Sequence, residues 1–330
     1  MEGELKNSSE IYKSKPKFFG ERAERINKEE YEQIVQEIID LAGDGFDELR
    51  PTTQLSDKES FGDVDMVCLP QRNIDRLYFQ QVFGDKMLDY NRTGHVHSTL
   101  LALNTKTVQV DFIQAKNKED FDCKFTYYSK GHLSSVIGMI ARKLDFKYGT
   151  EGFFKRFKDK RGNWHDIFIS ESLDDGLKIL GLNKDQYAEI NTTEEIIEFV
   201  SRSPLFDSSY FQYSNLNRRD KSAVKRSQQE EYIVSQLVAK GKARTISEND
   251  KLFKEYFPNE YARYQEEAER IEKETYRQGA IGGLMVMEAF NLKPGPKVGR
   301  ALKYISDNYS NATQLSDEMI SEIKEKVLND

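Results

Sequence analysis

The chain has 330 residues, of which 38% are hydrophobic, 32% charged and 12% aromatic. This composition excludes a disordered chain, and the length allows two domains with separate cores. No apolar run approaches the roughly 20 residues of a membrane span, residues 1–20 lack the apolar block of a secretory signal, and 2 cysteines cannot form a disulfide scaffold. We therefore expect a cytoplasmic protein with no membrane contact. The net charge of -7 argues, as an average, against a nucleic-acid partner.

The first part of the chain is predicted to form a polar tail, residues 1–20, and a small domain, residues 21–128. A helix is expected after Asn27, whose side chain can form a capping box with Glu30, and it should end at Gly43. The remaining elements predicted here are a helix over residues 74–83, strands over 64–69, 95–103 and 108–113, and a hairpin turn at 104–106.

The rest of the chain is predicted to be mainly helical, with a basic and aromatic region at residues 129–246 and a C-terminal region at 247–330. The predicted elements are helices over residues 133–146, 172–180, 194–201 and 222–239, a hairpin over 153–169, and a long helical stretch from 247. The turn at 293–296 breaks that stretch, with Pro296 starting a new helix. The predicted fold class is α+β, a small mixed-sheet head followed by a helical body.

Residues 52–69 carry the most chemical information. Because side chains two apart on a strand share a face, Asp63 and Asp65 should project together while Val64, Met66 and Cys68 pack behind them. Two carboxylates this close do not both stay ionised without a cation beside them. The pattern therefore indicates a cation site, although such pairs also occur by chance on solvated strand edges.

A second predicted strand, residues 108–113, carries Asp111 within an otherwise apolar run. If the two strands pair in one sheet, Asp111 lies alongside Asp63 and Asp65. Three carboxylates on adjacent strands suit two hard divalent cations such as Mg²⁺, which prefer oxygen ligands and keep positions for substrate phosphates. Two such ions activate an attacking hydroxyl and stabilise the leaving oxygen of a phosphoryl transfer.

The run from Lys58 to Asp65, followed later by Gln109-Val110-Asp111-Phe112, resembles the motif of the DNA polymerase β-like nucleotidyltransferase superfamily. In that family a Gly-Ser turn precedes D-x-D on a strand, and a third Asp follows on a later strand. The resemblance covers about residues 25–115. It implies a palm-like catalytic head in which Asp63 and Asp65 bind both of two Mg²⁺ ions and Asp111 binds the ion that activates the acceptor hydroxyl.

The resemblance also implies a nucleotide site for ATP or another NTP. Thr53, Lys58, Ser60 and Gly62 would lie near the triphosphate, as hydroxyl donors, a positive charge and a point of close approach. Thr52-Thr53 stands where the family has Gly-Ser. Thr53 keeps a hydroxyl for phosphate, whereas Thr52 lacks the backbone freedom of glycine.

A weaker resemblance appears between residues 282 and 302, which are similar to the helical region after the catalytic core of CCA-adding enzymes and bacterial poly(A) polymerases. The pattern predicts a helix, a Pro/Gly turn and a second helix whose N-terminus could hold a phosphate. A tight connection that closes a helical core explains it equally, because Met285, Phe290, Val298 and Leu302 are suited to that core.

The net charge of residues 124–161 is opposite in sign to that of the whole chain. This segment contains ten basic and three acidic residues and carries +7, while the remainder carries -14. Aromatic residues are interleaved with the basic ones, a combination that can bind phosphates and stack on bases. We expect Lys130, Arg142 and Lys143 to contact the acceptor or its phosphates. A solvated charged surface is the alternative interpretation.

These observations favour a template-independent nucleotidyltransferase that moves a nucleoside monophosphate from an NTP to a hydroxyl acceptor, an RNA or tRNA 3′ end. A second hypothesis has the same chemistry with a protein or small-molecule acceptor. A third, based on Thr52-Thr53, is a head that has lost catalysis and serves as a binding or structural component.

Overall fold

The computed structural model describes residues 18–277, 281–309, 312 and 314–328, so most of the predicted N-terminal tail lies outside the described residues. The chain divides into two compact units, Met1–Phe153 with Ser170–Leu252 and Phe154–Ile169 with Phe253–Asp330. The fold is α+β, with a mixed sheet and a helical C-terminal region, which confirms the predicted class.

The first unit is built on a five-stranded sheet in the order β2-β4-β7-β6-β5. Its strands are β2 (Phe46–Pro51), β4 (Val64–Pro70), β5 (Met87–Thr93), β6 (Val96–Leu103) and β7 (Lys106–Gln114). The β4 and β7 strands are parallel, whereas the other neighbours are antiparallel. A separate two-stranded ribbon pairs β1 (Ile26–Asn27) with β3 (Ser60–Phe61). The only parallel pair among the described strands of the large sheet therefore lies inside it, flanked by β2 and β6.

Helices cover both faces of this sheet. The α-helices of the first unit are α1 (Lys28–Ala42), α2 (Arg76–Phe83), α3 (Lys118–Tyr128), α4 (Leu133–Lys143), α5 (Leu173–Ile179), α6 (Lys184–Glu189), α7 (Thr193–Ser201), α8 (Arg218–Arg226) and α9 (Gln228–Ala239). The core that α1 and α2 share with the sheet includes Met66 and Phe112. On the opposite face, Phe121 of α3 packs with Val67 and Ile113. Short 3₁₀ turns occur at Gly20–Arg22, Gly43–Gly45, Gly84–Lys86, Ser208–Phe211 and Tyr213–Asn215.

Local sequence signals account for several element boundaries. The predicted capping box is confirmed, since the Asn27 side chain accepts from the Glu30 N–H and Glu30 accepts from the Asn27 N–H. The helix predicted over residues 133–146 ends earlier, at Lys143, because Asp145 adopts a positive φ and the chain then enters β8 (Phe146–Gly149). The helix predicted over residues 222–239 is two helices, because Ser227 is extended and its hydroxyl caps α9.

The second unit contains a hairpin and the C-terminal helices. The hairpin strands are β9 (Gly152–Lys158), which begins in the first unit, and β10 (Trp164–Ser170). The helices are α10 (Lys251–Tyr256), α11 (Pro258–Arg277), α12 (Gly283–Phe290), α13 (Pro296–Asn308) and α14 (Asp317–Ile323), and a π-helical turn follows at Lys324–Leu328. Pro296 starts α13 as predicted. Val298 is buried in the core of α12 to α14, with Met285, Phe290 and Leu302 packed against it. No helix in the described ranges is both long and apolar enough to cross a bilayer.

The turn between β6 and β7 offers a direct test of the hairpin. Asn104 and Thr105 both have positive φ, 42° and 64°, and a β-branched residue is strained in that region. We expect Thr105→Gly to raise the free energy of unfolding by about 1 kcal/mol, because an Asn-Gly pair suits this turn. Thr107→Gly, in the extended strand β7, should lower it. Urea unfolding measures both, and the same sign for both variants would contradict the assignment.

Candidate active site

The three predicted acidic residues lie together at one place in the sheet. In the parallel pairing of β4 with β7, Asp65 stands directly opposite Asp111. Asp63 lies just before β4 and is separated from Asp65 by Val64, which is buried on the other face of the strand. The predicted alignment of the two acidic strands is therefore confirmed, and it results from the register of the central parallel pair.

Asp65 lies among both like and opposite charges, which shift its pKa in opposite directions. Burial, then the carboxylate of Asp63, then that of Asp111 raise the pKa of Asp65 well above its usual range, while the Lys58 ammonium lowers it. Burial lowers the pKa of Lys58, and Asp63 and Asp65 counteract this effect. The cluster is thus an electrostatically costly arrangement that additional positive charge would stabilise.

The donor chemistry of the cluster suits Mg²⁺, although its side chains do not form a closed ligand set. Carboxylate oxygens are the ligands that Mg²⁺ prefers, and the mutual repulsion at Asp65 is what a bound cation relieves. Within the described ranges, no three His, Cys, Asp or Glu side chains adopt a metal-ligating arrangement. The carboxylates of Asp63, Asp65 and Asp111 are neighbours that would have to adjust to share an ion.

Gln109 holds one of these carboxylates in place. It precedes Asp111 by two positions on β7, and its side-chain amide N–H group donates to both Asp111 carboxylate oxygens, at 3.1 and 3.2 Å. The Gln109 carbonyl Oε1 is buried and has no hydrogen-bond partner among the described residues. The two-residue spacing on β7 could have identified Gln109 as a positioning residue.

The Thr52-Thr53 segment is fixed by its backbone. The Thr52 N–H donates to the Asp65 carbonyl (2.9 Å), and the Thr53 N–H donates to the Ser129 hydroxyl (3.0 Å). The Lys130 N–H donates to the Thr53 carbonyl, at 2.6 Å. The backbone N–H groups of Thr52 and Thr53 are therefore already engaged, and Thr53 exposes its side chain to solvent.

The middle of the same loop is bound to the start of α7 and the segment before it. The Ser56 N–H donates to the Asn191 carbonyl at 2.7 Å, and the Asp57 carboxylate accepts from the Thr193 N–H at 2.9 Å. The loop from Thr52 to Ser60 is thus held at its start and in its middle, which limits its freedom to close on a ligand.

The other predicted nucleotide residues lie beside the carboxylates. The Lys58 ammonium donates to the Gln54 side-chain carbonyl (2.8 Å) and lies 4.7 Å from the centre of the Phe61 ring. Ser60 accepts two bonds from Arg25, one at its hydroxyl (2.9 Å) and one at its carbonyl (3.0 Å). Gly62 is buried in the turn that leads to Asp63.

Sequence analysis did not identify three residues that border the cluster. Burial lowers the pKa of Arg25 and Asp63 raises it, which places a second cation near the carboxylates. Tyr31 stacks on Phe61 with ring centres 4.3 Å apart, and burial followed by Asp65 raises its pKa. The Tyr128 hydroxyl lies 3.1 Å from His95 Nε2. Burial, Tyr127 and then Asp65 raise its pKa. No local spacing links these residues to the aspartates.

The three basic residues predicted to contact the acceptor all bind other parts of the chain. The buried Lys130 ammonium donates to the carbonyls of Ala188 and Ile190, at 2.9 and 2.6 Å. Arg142 forms a two-pronged ion pair with the buried Asp220, with Nε 3.2 Å from Oδ2. Lys143 donates to the Asn215 carbonyl. These contacts give each cation a role in the packing of the first unit.

Comparison with known proteins adds no assignment, since no protein-family model and no curated protein matches the chain.

The crowding at Asp65 predicts a pH-dependent gain in stability for Asp65→Asn. Because the folded state raises the pKa of Asp65, its stabilising contribution is present at low pH and is lost as pH rises through the folded pKa. The asparagine variant avoids this loss. We expect it to melt about 2–4 °C above the original protein at pH 8 in EDTA, equivalent to about 1 kcal/mol, and by less at pH 5.

The control for that experiment is Asp47→Asn, which changes an exposed carboxylate on β2 of the same sheet and should leave the melting temperature unchanged at both pH values. A less stable Asp65→Asn protein, or a difference that does not grow with pH, would contradict the electrostatic interpretation.

The ion pair between Arg142 and Asp220 predicts a large effect on stability. Arg142→Leu leaves the buried Asp220 carboxylate without its charge partner, which should cost about 3–5 kcal/mol of unfolding free energy. The double variant Arg142→Leu with Asp220→Asn should recover part of that loss. Denaturant titration measures both, with Lys143→Leu as a control of small effect. Unchanged stability in Arg142→Leu would instead favour the predicted contact with acceptor phosphates.

Proposed function

We propose that this chain is a Mg²⁺-dependent, template-independent nucleotidyltransferase. It would transfer a nucleoside monophosphate from an NTP to the 3′ hydroxyl of an RNA acceptor and release pyrophosphate. The observation that carries the proposal is the parallel register that sets Asp65 opposite Asp111, with Asp63 beside them. The resemblance of residues 58–65 and 109–112 to the polymerase β-like motif supports it.

Each residue of the cluster has a role in this proposal. Asp63, Asp65 and Asp111 would hold two Mg²⁺ ions, which supply charge stabilisation and hydroxyl activation for in-line transfer when bound. Lys58 and Arg25 bring positive charge to the same carboxylates, where the phosphates of an NTP would approach. Gln109 orients Asp111 through its two hydrogen bonds.

Incorporation of a labelled nucleotide tests the proposal. We expect the full-length protein with MgCl₂ and each labelled NTP to extend RNA oligonucleotides or tRNA, and Asp63→Ala, Asp65→Ala and Asp111→Ala to reduce the rate about a thousandfold or more, because each removes several kcal/mol of transition-state stabilisation. Asp47→Ala, an exposed carboxylate on the same sheet, serves as the control and should retain activity.

Activity that survives Asp63→Ala, or no incorporation with any nucleic-acid acceptor, would overturn the proposal. Label that moves to a protein or a small molecule would instead identify the second hypothesis, the same chemistry with a different acceptor.

The backbone of the Thr52-Thr53 segment favours a second candidate function, a head that has lost catalysis and acts in binding. Its two N–H groups donate to the Asp65 carbonyl and the Ser129 hydroxyl, so they are not free to hold a triphosphate as the turn of an active family member would. Isothermal titration with ATP and Mg²⁺ separates the candidates. Metal-dependent binding of ATP supports the transferase, whereas its absence supports the non-catalytic head.

A further inference from the structure

The α8 helix presents a strongly basic face to solvent. Its sequence, Arg218–Arg226, contains one acidic residue, Asp220, which is buried, as is Val224 on the same inward face. The basic residues lie outside that inward face and are Arg218, Arg219, Lys221, Lys225 and Arg226. The helix therefore places one negative charge inside and five positive charges outside.

These positive charges are not neutralised by ion pairs. Asp220 is directed inward to Arg142, and none of the five outward cations forms a salt bridge with a carboxylate in the part of the chain that the structure describes. On this face Arg218, Lys221 and Lys225 follow one another at spacings of three and four positions, so their like charges repel each other on the helix surface. A polyanionic ligand would relieve this repulsion.

An exposed aromatic ring lies beside these cations. Tyr213 is 48% exposed, and the ammonium groups of Lys221 and Lys225 lie 5.4 and 5.9 Å from its ring centre. Positive side chains next to an exposed aromatic ring are the elements that bind single-stranded nucleic acid, by contacting phosphates and stacking on a base. Stacking on this ring requires an unpaired base, which a duplex does not offer.

Contacts within the first unit tie α8 to the surroundings of the carboxylates. Ser227, immediately after α8, has its hydroxyl 2.8 Å from His132 Nε2. His132 follows the Ser129-Lys130 pair that binds the Thr53 backbone. Burial, Tyr127, Asp65 and Asp111 raise the pKa of Tyr128, and Arg219, at the start of α8, lowers it.

We propose that the outward face of α8 together with Tyr213, here called the α8 surface, binds the single-stranded 3′-terminal segment of a nucleic-acid acceptor. The proposal deepens the proposed function and rests on it, because the terminal hydroxyl of such a strand must reach Asp63, Asp65 and Asp111. Arg218, Arg219 and Lys225 contact successive phosphates, and Tyr213 stacks on an unpaired base.

Fluorescence anisotropy with a 5′-labelled, mixed-sequence 20-nucleotide RNA tests the α8 surface. The full-length protein is titrated in EDTA without NTP, at several salt concentrations. For the triple variant Arg218→Ala, Arg219→Ala, Lys225→Ala we expect affinity to fall roughly a hundredfold near 0.1 M salt, and the slope of log affinity against log salt to decrease by about 2, since each lost phosphate contact removes about 0.7.

A charge-matched variant controls for net charge. Lys28→Ala, Arg76→Ala, Lys184→Ala removes three exposed cations from three other helices of the first unit and should bind nearly as the original protein does. Tyr213→Ala should weaken binding about tenfold through lost stacking, whereas Tyr213→Phe should retain it. Duplex RNA of the same length should bind more weakly than the single strand.

Equal affinities of the two triple variants would overturn the proposal, as would unchanged binding in Tyr213→Ala. Melting temperatures of all variants show whether a loss reflects unfolding, and the single variant Lys225→Ala provides the same comparison if the triple variant does not fold. Because binding is measured without metal or nucleotide, absence of transferase activity would overturn the proposed function and leave the binding result to be judged separately.

Discussion

The repulsion among three carboxylates at the centre of the sheet is the constraint on which the rest of the first unit depends. The parallel pairing of β4 and β7 fixes Asp65 opposite Asp111 and Asp63 beside it, in surroundings where burial raises the pKa of Asp65. Folding therefore brings together charges that would be more stable apart. Such an arrangement leaves the folded protein with an unfavourable electrostatic energy at this site. A bound cation, alone or together with a phosphate-bearing ligand, would lower that energy.

The surrounding contacts counteract this repulsion and constrain the proposed nucleotide site. Lys58 supplies positive charge from the loop before β3, and Arg25 supplies it from the position just before β1. The loop is held by Ser129 at Thr53 and by Asn191 at Ser56. Because these hydrogen bonds occupy backbone donors, the proposed function requires a triphosphate to be bound mainly by side chains, in contrast to a glycine turn whose N–H groups are available.

Much of the site could be predicted from sequence, because its core follows local rules. The acidic strands are recognisable as apolar runs that contain isolated acids, and period two assigns Asp63 and Asp65 to one face. Arg25, Tyr31 and Tyr128 could not be found in this way, because packing alone brings them to the cluster. The edge strand β2 has few apolar residues, so no alternating apolar pattern predicts it. The α3 helix is not predicted either, because charged residues surround Phe121 and Phe125.

The distribution of positive charge shows why a count along the chain does not locate a binding surface. The basic run at residues 124–161 is largely used internally, since Lys130 binds backbone carbonyls, Arg142 neutralises Asp220 and Lys124 pairs with Asp120. The cations of α8 lie on the exposed side of a helix whose single acid is turned inward. A phosphate backbone binds charges that remain accessible and unpaired. The contrast between α8 and the basic run therefore moves the expected nucleic-acid contact from the middle of the chain to α8.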